Sequence, residues 1–196
     1  MDYSLILKNV ANHILLDPGE QRYFTSLLDY RKIRNRQCVL SEGEISDHIY
    51  FVTKGCLRGF TIDKSGGEHV LSFAPEDWWI SDLYSYITRQ PGNLFIETLE
   101  ASEAFVLSRE RQERLYERVP KFERFFRILA ENSLVASQQR LHDRMSLTAG
   151  ERYERFCSRY PTLIQRLPQK QIASYIGVTP EFFSKMRSNL LRNGGA

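Results

Sequence analysis

The sequence has few of the residues that build metal, redox or disulfide-rich proteins. Its 196 residues include only three cysteines and four histidines, and neither set shows metal-ligand spacing. Without a Cys-x-x-Cys pair, the chain is not expected to hold zinc, an iron–sulfur cluster or a disulfide framework. The N-terminus lacks a basic leader, and no apolar run approaches transmembrane length. These absences favour a cytoplasmic protein with reduced thiols and no membrane partner.

The sequence also lacks the residue groups expected of an enzyme. It contains no phosphate-binding loop, no nucleophile–base pair and no set of metal ligands at recognisable spacing. We therefore do not predict an enzyme. The hydrophobic fraction of 42% is ample for a globular core, either in one large domain or in two small ones.

Charge is distributed unevenly along the chain. Residues 148–196 contain eight Lys or Arg and three Asp or Glu, a balance of +5, whereas residues 1–147 have a balance of −2. A segment that faces nucleic-acid phosphates is expected to carry such a basic excess. Unevenly charged solvent-facing surfaces are the alternative explanation.

This basic segment has the pattern of a helix-turn-helix, beginning with a short helix. Pro168 is suited to the start of that helix, because it has no N–H to lose there. Ile172 and Ile176 form an apolar stripe, and Gly177 can adopt the positive φ that ends the helix. Ala173 is small enough to let two crossed helices approach, which favours a helix-turn-helix over an ordinary helical hairpin.

A second helix follows, and it is predicted to be the one that enters the DNA major groove. Thr179 is its expected cap, and Pro180 and Glu181 form its first turn. One face is predicted to be buried, through Phe183, Met186 and Leu190, while Arg192 lies on the opposite face. The candidate DNA-contacting residues are Lys170, Thr179, Pro180, Glu181, Ser184, Lys185, Arg187 and Ser188.

Four of these side chains have predicted roles. Glu181 can accept a hydrogen bond from the amino group of cytosine, and Lys185 can donate to the acceptors of guanine. Lys170 and Arg187 are expected to contact phosphates, which carry no sequence information.

The first two thirds of the chain changes pattern several times. Residues 3–31 are predicted to form one or two helices, interrupted at Asp17-Pro18-Gly19-Glu20. Short strands follow to residue 108, with a hairpin turn at Lys64-Ser65-Gly66-Gly67. The predicted strands are Gln37–Leu40, His48–Thr53, Cys56–Ile62, Glu68–Ala74, Leu94–Glu100 and Glu103–Leu107. Their short, even spacing favours a closed or double-layered antiparallel structure.

Helices return after Ser108. Arg109–Arg118 is a short one, Pro120 opens a long one that runs to about Leu147, and Glu151–Tyr160 follows a joint within residues 143–150. Two apolar stripes on the long helix indicate two packing partners: the β-domain of its own chain and the same helix of a second subunit. The alternative is a helix buried within a monomer. The candidate dimer residues are Phe122, Phe126, Leu129, Leu134, Leu141 and Met145.

This order of helix, β-roll, long helix and helix-turn-helix resembles the Crp/Fnr superfamily of bacterial transcription regulators. The residues that carry the resemblance are Gly43, the run from Ile49 to Arg58 (IYFVTKGCLR), and the run from Ile172 to Glu181 (IASYIGVTPE). It implies an α+β protein with an N-terminal antiparallel β jelly roll of the cyclic-nucleotide-binding type. Residues 1–118 would be the sensor domain, 119–147 the dimerisation helix and 148–196 the DNA-binding domain.

The resemblance also implies a function. The protein would be a homodimeric transcription regulator that binds a palindromic site in double-stranded DNA. RNA polymerase and a small-molecule effector are its candidate partners. The alternative is a module whose β-roll binds a small molecule or a protein while its C-terminal helices do not bind DNA.

The chain departs from the resemblance in the phosphate-binding cassette. Relatives that bind cyclic AMP carry a Gly-Glu pair and, some ten residues later, an Arg-Ser pair. Here Gly92-Asn93 replaces Arg-Ser, so that the cyclic phosphate would lack its guanidinium partner. We therefore expect no cyclic-nucleotide cofactor and leave the effector unassigned. A pocket for another ligand would be lined by Trp78, Trp79, Asp82, Gly92 and Asn93, unless the tryptophans belong to the core of the roll.

A second departure precedes the helix-turn-helix. Many relatives have a β-hairpin wing there, but Tyr160–Leu167 is too short and helix-like for one. The DNA-binding domain is therefore expected to be helical without a clear wing. Arg166, Lys170 or Arg187 would then make the contacts with the DNA backbone that a wing makes in those relatives.

Overall fold

The alternating segments between residues 29 and 108 form two four-stranded sheets in the computed structural model, which describes residues 1–193 and side chains as far as residue 189. Their orders are β1-β8-β3-β6 and β2-β7-β4-β5. The pairs β1–β8, β3–β8, β3–β6, β2–β7 and β4–β7 are antiparallel. The strands are β1 Asp29–Ile33, β2 Cys38–Leu40, β3 His48–Lys54, β4 Leu57–Ile62, β5 Glu68–Ala74, β6 Trp79–Ile80, β7 Phe95–Thr98 and β8 Ser102–Ser108. The predicted antiparallel jelly roll is confirmed.

All six predicted strands are present, and the sequence reasoning missed two others. The prediction of helix up to residue 31 is wrong at its end, because Asp29–Ile33 is the edge strand β1. This strand pairs with β8 from Asp29–Val106 to Ile33–Ser102, so its partner is distant in sequence. The charged side chains of Asp29, Arg31 and Lys32 are exposed. With three charged residues among its five, this segment lacks the apolar pattern by which the other strands were predicted.

Eight helices accompany the sheets in the described residues. They are α1 Ser4–Ala11, α2 Pro18–Ser26, α3 Leu83–Thr88, α4 Arg109–Arg118, α5 Lys121–Ser146, α6 Ala149–Arg159, α7 Gln169–Ile176 and α8 Pro180–Asn193. The break at Asp17 is a capping box, in which the Asp17 carboxylate accepts from the Glu20 N–H and Glu20 accepts in return from the Asp17 N–H. None of the helices described is long and apolar enough to cross a membrane.

The chain divides into two compact units. The first contains Met1–Thr61 and Ser72–Ser133, and the second contains Ile62–Leu71 and Leu134–Ala196. The boundaries fall within strands β4 and β5 and within helix α5, so each unit includes part of all three elements.

In the first unit, strand β8 of sheet β1-β8-β3-β6 is buried on both of its faces. Phe105 and Leu107 of β8 belong to one apolar cluster, together with residues of α1, α2, α4 and α5. Ala104 and Val106 belong to the other cluster, which includes residues of both sheets. Because neighbouring side chains on a strand point to opposite faces, this one strand contributes to both layers of the core.

The N-terminal part of α5 is an integral part of this core. Phe122 and Phe125 have no exposed surface, and Phe126 and Leu129 pack against the same cluster. Phe122 packs against Phe24 of α2, with the two rings tilted by 34° and their centroids 4.6 Å apart. Burying an aromatic side chain of this size stabilises the folded state by roughly 1.5–3 kcal/mol. The prediction that one stripe of the long helix packs on its own β-domain is therefore confirmed.

In the second unit, α6, α7 and α8 surround an aromatic and aliphatic core. Phe156, Ile172, Ala173, Ile176 and Phe183 are all at most 2% exposed. Helix α6 begins with a capping box formed by Thr148 and Glu151. The described residues from 134 to 193 contain no strand, and residues 161–166 form turns, as expected for a helical domain without a wing.

Candidate nucleic-acid interface

The corner between α7 and α8 has the backbone geometry of a helix-turn-helix. Gly177 has φ of 76°, and its N–H donates to the Ser174 carbonyl at 3.1 Å. The Val178 N–H donates to the Ala173 carbonyl at 3.0 Å, which completes a Schellman motif. The predicted glycine stop of the first helix is confirmed, and a side chain with a Cβ would be strained at this position.

Thr179 caps α8 immediately after this stop. Its hydroxyl oxygen accepts from the Phe182 N–H at 3.2 Å, and its carbonyl accepts from the Phe183 N–H at 2.9 Å. Only Gly177 and the two residues after it separate the helices, so the corner is short and both of its ends are hydrogen-bonded. Such a corner fixes the second helix relative to the first.

The buried side of α8 holds it in place. Phe183 has no exposed surface and meets Tyr153 of α6 edge-on, with ring centroids 5.2 Å apart. Met186 is half-buried, in agreement with the predicted inner face. The side chains of Leu190 and Arg192, also named in the prediction, lie outside the described residues.

The opposite side of α8 is open to solvent. Ser184 and Ser188 are exposed, and the Ser188 hydroxyl donates to the Ser184 carbonyl at 3.0 Å. Arg187 differs from the others because it is half-buried. The remaining predicted DNA-contacting residues are exposed: Lys170, Thr179, Pro180, Glu181 and Lys185.

Glu181 is held in its charged form at the start of α8. Its own backbone N–H and then the Thr179 hydroxyl lower the pKa of this carboxyl below its usual value. A carboxylate at this position is therefore a hydrogen-bond acceptor at neutral pH, as the predicted contact with cytosine requires.

An open cavity of about 720 Å³ lies beside the corner of the helix-turn-helix, within the second unit. Its charged and titratable lining groups are Glu68, His69, Arg144, Arg152 and Lys170. Arg152 donates from Nε to the Ile176 carbonyl at 2.7 Å, so it also ties α6 to the end of α7. Sequence reasoning found Lys170 but missed the two arginines, because Arg144 and Arg152 come from α5 and α6.

The β-hairpin tip formed by residues 62–71 is bound to α7 through one hydroxyl group. Ser174 Oγ accepts from the Val70 N–H at 2.9 Å and donates to the Glu68 carbonyl at 2.7 Å. The Ser174 hydroxyl thereby satisfies the Val70 N–H and the Glu68 carbonyl at the edge of strand β5. Sequence reasoning did not predict this contact, because Ser174 and Val70 are 104 positions apart in the chain.

The predicted dimer residues fall into two groups. Phe122 is completely buried in the core of its own chain, which removes it from any interface with a second subunit, and Phe126 and Leu129 are partly buried there. Leu134, Leu141 and Met145 are 59%, 61% and 82% exposed. Val135, which the prediction omitted, is 63% exposed. An apolar surface therefore remains open along the C-terminal half of α5.

The cassette region of the first unit brings Asp82 and Gly92 together. Asp82 is buried and caps the short helix α3, its Oδ1 accepting from the Ser85 N–H at 3.2 Å. A Cβ at position 92 would lie 2.1 Å from Asp82 Oδ2 and 3.1 Å from Ser85 Cβ. The carboxylate therefore occupies the space into which a larger residue at position 92 would project. Asn93 is exposed.

The two tryptophans do not line a common pocket with this pair. Trp79 packs with the cluster that contains Phe51 and Phe125, and its Nε1 donates to Asn9 Oδ1 at 2.9 Å. Trp78 packs against the other cluster, between the sheets. Neighbouring residues of an extended segment point in opposite directions. The prediction of one pocket lined by both rings is wrong, and their core alternative is supported.

Comparison with known proteins agrees with this geometry. Residues 30–119 match the family model of the cyclic nucleotide-binding domain, and no curated protein matches the sequence. Among solved structures, the chain is similar to the c-di-GMP-responsive global regulator CLP of Xanthomonas campestris. The two share 16% identity over 91% of this chain and 93% of that one, with a TM-score of 0.73.

Two further structures show the same arrangement of elements. FixK2 of Bradyrhizobium japonicum is 17% identical over 85% of this chain and 86% of its own, with a TM-score of 0.74. The catabolite activator protein of Thermus thermophilus is 20% identical over 91% and 85%, with a TM-score of 0.56. Residues 30–119 are therefore similar to the cyclic nucleotide-binding domain family, and the chain shares the fold of these three solved structures.

Proposed function

We propose that this protein is a transcription regulator that binds a palindromic DNA site as a homodimer, with α8 in the major groove. The observation that carries the proposal is the asymmetry of α8. Phe183 is completely buried, while Glu181, Ser184, Lys185 and Ser188 are exposed on the other side of the helix. This second helix is capped, follows a short turn and is polar on its exposed face. A helix with these features is suited to contacting base edges in the major groove.

The charges around α8 support contact with DNA. The segment 148–196 carries the basic excess of the chain, and Lys170 is exposed in the first turn of α7. Arg144 and Arg152 line the cavity beside the corner. Cations in this position can neutralise phosphates on either side of the groove, which supplies affinity without sequence preference.

The exposed apolar side chains of α5 support the homodimer. Leu134, Val135, Leu141 and Met145 each leave more than half of their surface open within one chain. Leu134 and Leu141 are seven residues apart and Leu141 and Met145 are four apart, a helical spacing that is suited to pairing with a second helix. Two recognition helices related by a twofold axis would read half-sites about one DNA turn apart.

The cassette supports an effector other than cyclic AMP. Gly92-Asn93 supplies no guanidinium, and the buried Asp82 carboxylate faces Gly92. A negative carboxylate at this position would repel a cyclic phosphate rather than bind it.

The competing function is a sensor module whose C-terminal helices only pack. Selection from a pool of random duplexes separates the two. The proposed regulator should enrich an inverted repeat with two half-sites about one helical turn apart. A pool that stays random after several rounds, with the wild-type protein folded, would contradict the proposal.

A further inference from the structure

Phe182 is the one large apolar side chain left exposed between residues 148 and 189 of the described chain, and 53% of its surface is open. It stands in the first turn of α8, directly after Glu181, and its neighbour Phe183 takes the inner position. Sequence reasoning placed Phe183 on the buried face of this helix and assigned no role to Phe182.

The position of this ring is defined by the cap of α8. The Phe182 N–H donates to Thr179 Oγ1, which makes Phe182 the third residue of the helix. At about 100° per residue, Phe182 lies at one edge of the exposed arc that includes Glu181, Lys185 and Ser188. Ser184 lies at the opposite edge. The ring therefore flanks the polar side chains proposed to contact bases.

The chemistry of the groove limits what such a ring can contact. The apolar group in the major groove is the C5 methyl of thymine, and phenylalanine is among the side chains that contact it. Phe182 and Lys185 are one turn apart on the helix, about 5 Å along its axis. Base pairs are spaced about 3.4 Å apart, so the two side chains would reach base pairs that are neighbours or next neighbours.

We propose that Phe182 is a specificity-determining residue that reads thymine through its 5-methyl group. This inference rests on the proposed function of α8 as a recognition helix. Contact with one methyl group corresponds to about a fourfold change in affinity for each half-site. In a symmetric dimer the two half-sites together give roughly fifteenfold, provided that they contribute independently.

Replacing thymine by deoxyuridine removes this methyl group and leaves base pairing unchanged. On the selected operator, each symmetric pair of thymines is replaced in turn, and binding is measured by fluorescence anisotropy for the wild type, Phe182→Ala and Phe182→Leu. At one thymine pair, deoxyuridine is expected to lower the affinity of the wild type for the operator roughly fifteenfold. The same replacement should leave the affinity of Phe182→Ala unchanged. Phe182→Leu keeps an apolar side chain and should retain part of the effect. Tyr84→Ala is the matched control and should retain all of it, because it removes an exposed aromatic ring of α3, outside the proposed recognition helix.

Two results would overturn the inference while leaving the proposed function intact. The first is sequence-specific binding that is indifferent to deoxyuridine at every thymine. The second is a Phe182→Ala variant that remains as sensitive to deoxyuridine as the wild type. A change in oligomeric state on Phe182→Ala, with no deoxyuridine effect, would assign the ring to a protein contact instead. Absence of any specific binding by the wild type would remove the proposed function and this inference together.

Discussion

Replacing Leu134 and Leu141 by glutamate should convert the protein from dimer to monomer. Each leucine leaves about three fifths of its surface exposed within one chain. Since full burial of a leucine contributes roughly 1.5–3 kcal/mol, the open part can contribute about 1 kcal/mol or slightly more. Four such side chains meet in a symmetric dimer and together contribute roughly 5 kcal/mol. Their loss alone raises the dissociation constant of the dimer more than about a thousandfold, and the four added charges repel one another.

Sedimentation velocity at micromolar concentration, without DNA, measures this change directly. The wild type should sediment as a dimer and the double variant as a monomer with an unchanged circular dichroism spectrum. Leu15→Glu is the matched control, because Leu15 is 83% exposed in the turn after α1 and should have no effect on the oligomeric state. A wild-type monomer, or a double variant that remains dimeric, would refute the reasoning.

Three other predictions concern the ligand and the DNA. Calorimetry should detect no binding of cyclic AMP or cyclic GMP by the wild type or by Gly92→Arg, because the Asp82 carboxylate occupies the space beside position 92. Micromolar affinity of either protein for either nucleotide would contradict this account of the cassette. Glu181→Ala should remove the preference for one base pair in each half-site and leave non-specific binding unchanged or stronger, because a negative charge is lost; repeated selection with the variant checks this, and an unchanged consensus would contradict it. Lys170→Ala should weaken every duplex alike and reduce the salt slope by about one unit, whereas Lys8→Ala in α1 should not; an altered consensus with Lys170→Ala would count against a phosphate contact.

Much of the fold followed from local signals in the sequence. The glycine stop at Gly177, the cap at Thr179 and the start of α5 after Pro120 depend on a few neighbouring residues, and the structure contains all three. Strand β1 escaped prediction because its stability comes from pairing with β8, which follows about 70 residues later. The short helix α3 escaped because its six residues include few strong helix formers, and Asp82 was interpreted as a ligand contact rather than a cap.

The candidate site was predictable only in part. The face of α8 opposite Phe183 followed from helical periodicity, and its exposed polar residues are where the pattern placed them. Phe122 was assigned to the dimer surface because periodicity cannot distinguish a stripe that packs on its own chain from one that packs on a second subunit. Arg144, Arg152 and Ser174 depend on tertiary contacts and have no local signature.

Sequence-specific binding through α8 is the central claim, and one titration tests it most directly. The selected operator and a scrambled duplex of the same composition are titrated with the wild type at about 50 and about 200 mM salt. The account predicts that the operator binds at least about a thousandfold more tightly than the scrambled duplex. It also predicts that both affinities fall by about a hundredfold or more as the salt rises. Equal affinity for the two duplexes, or affinity that does not depend on salt, would contradict it.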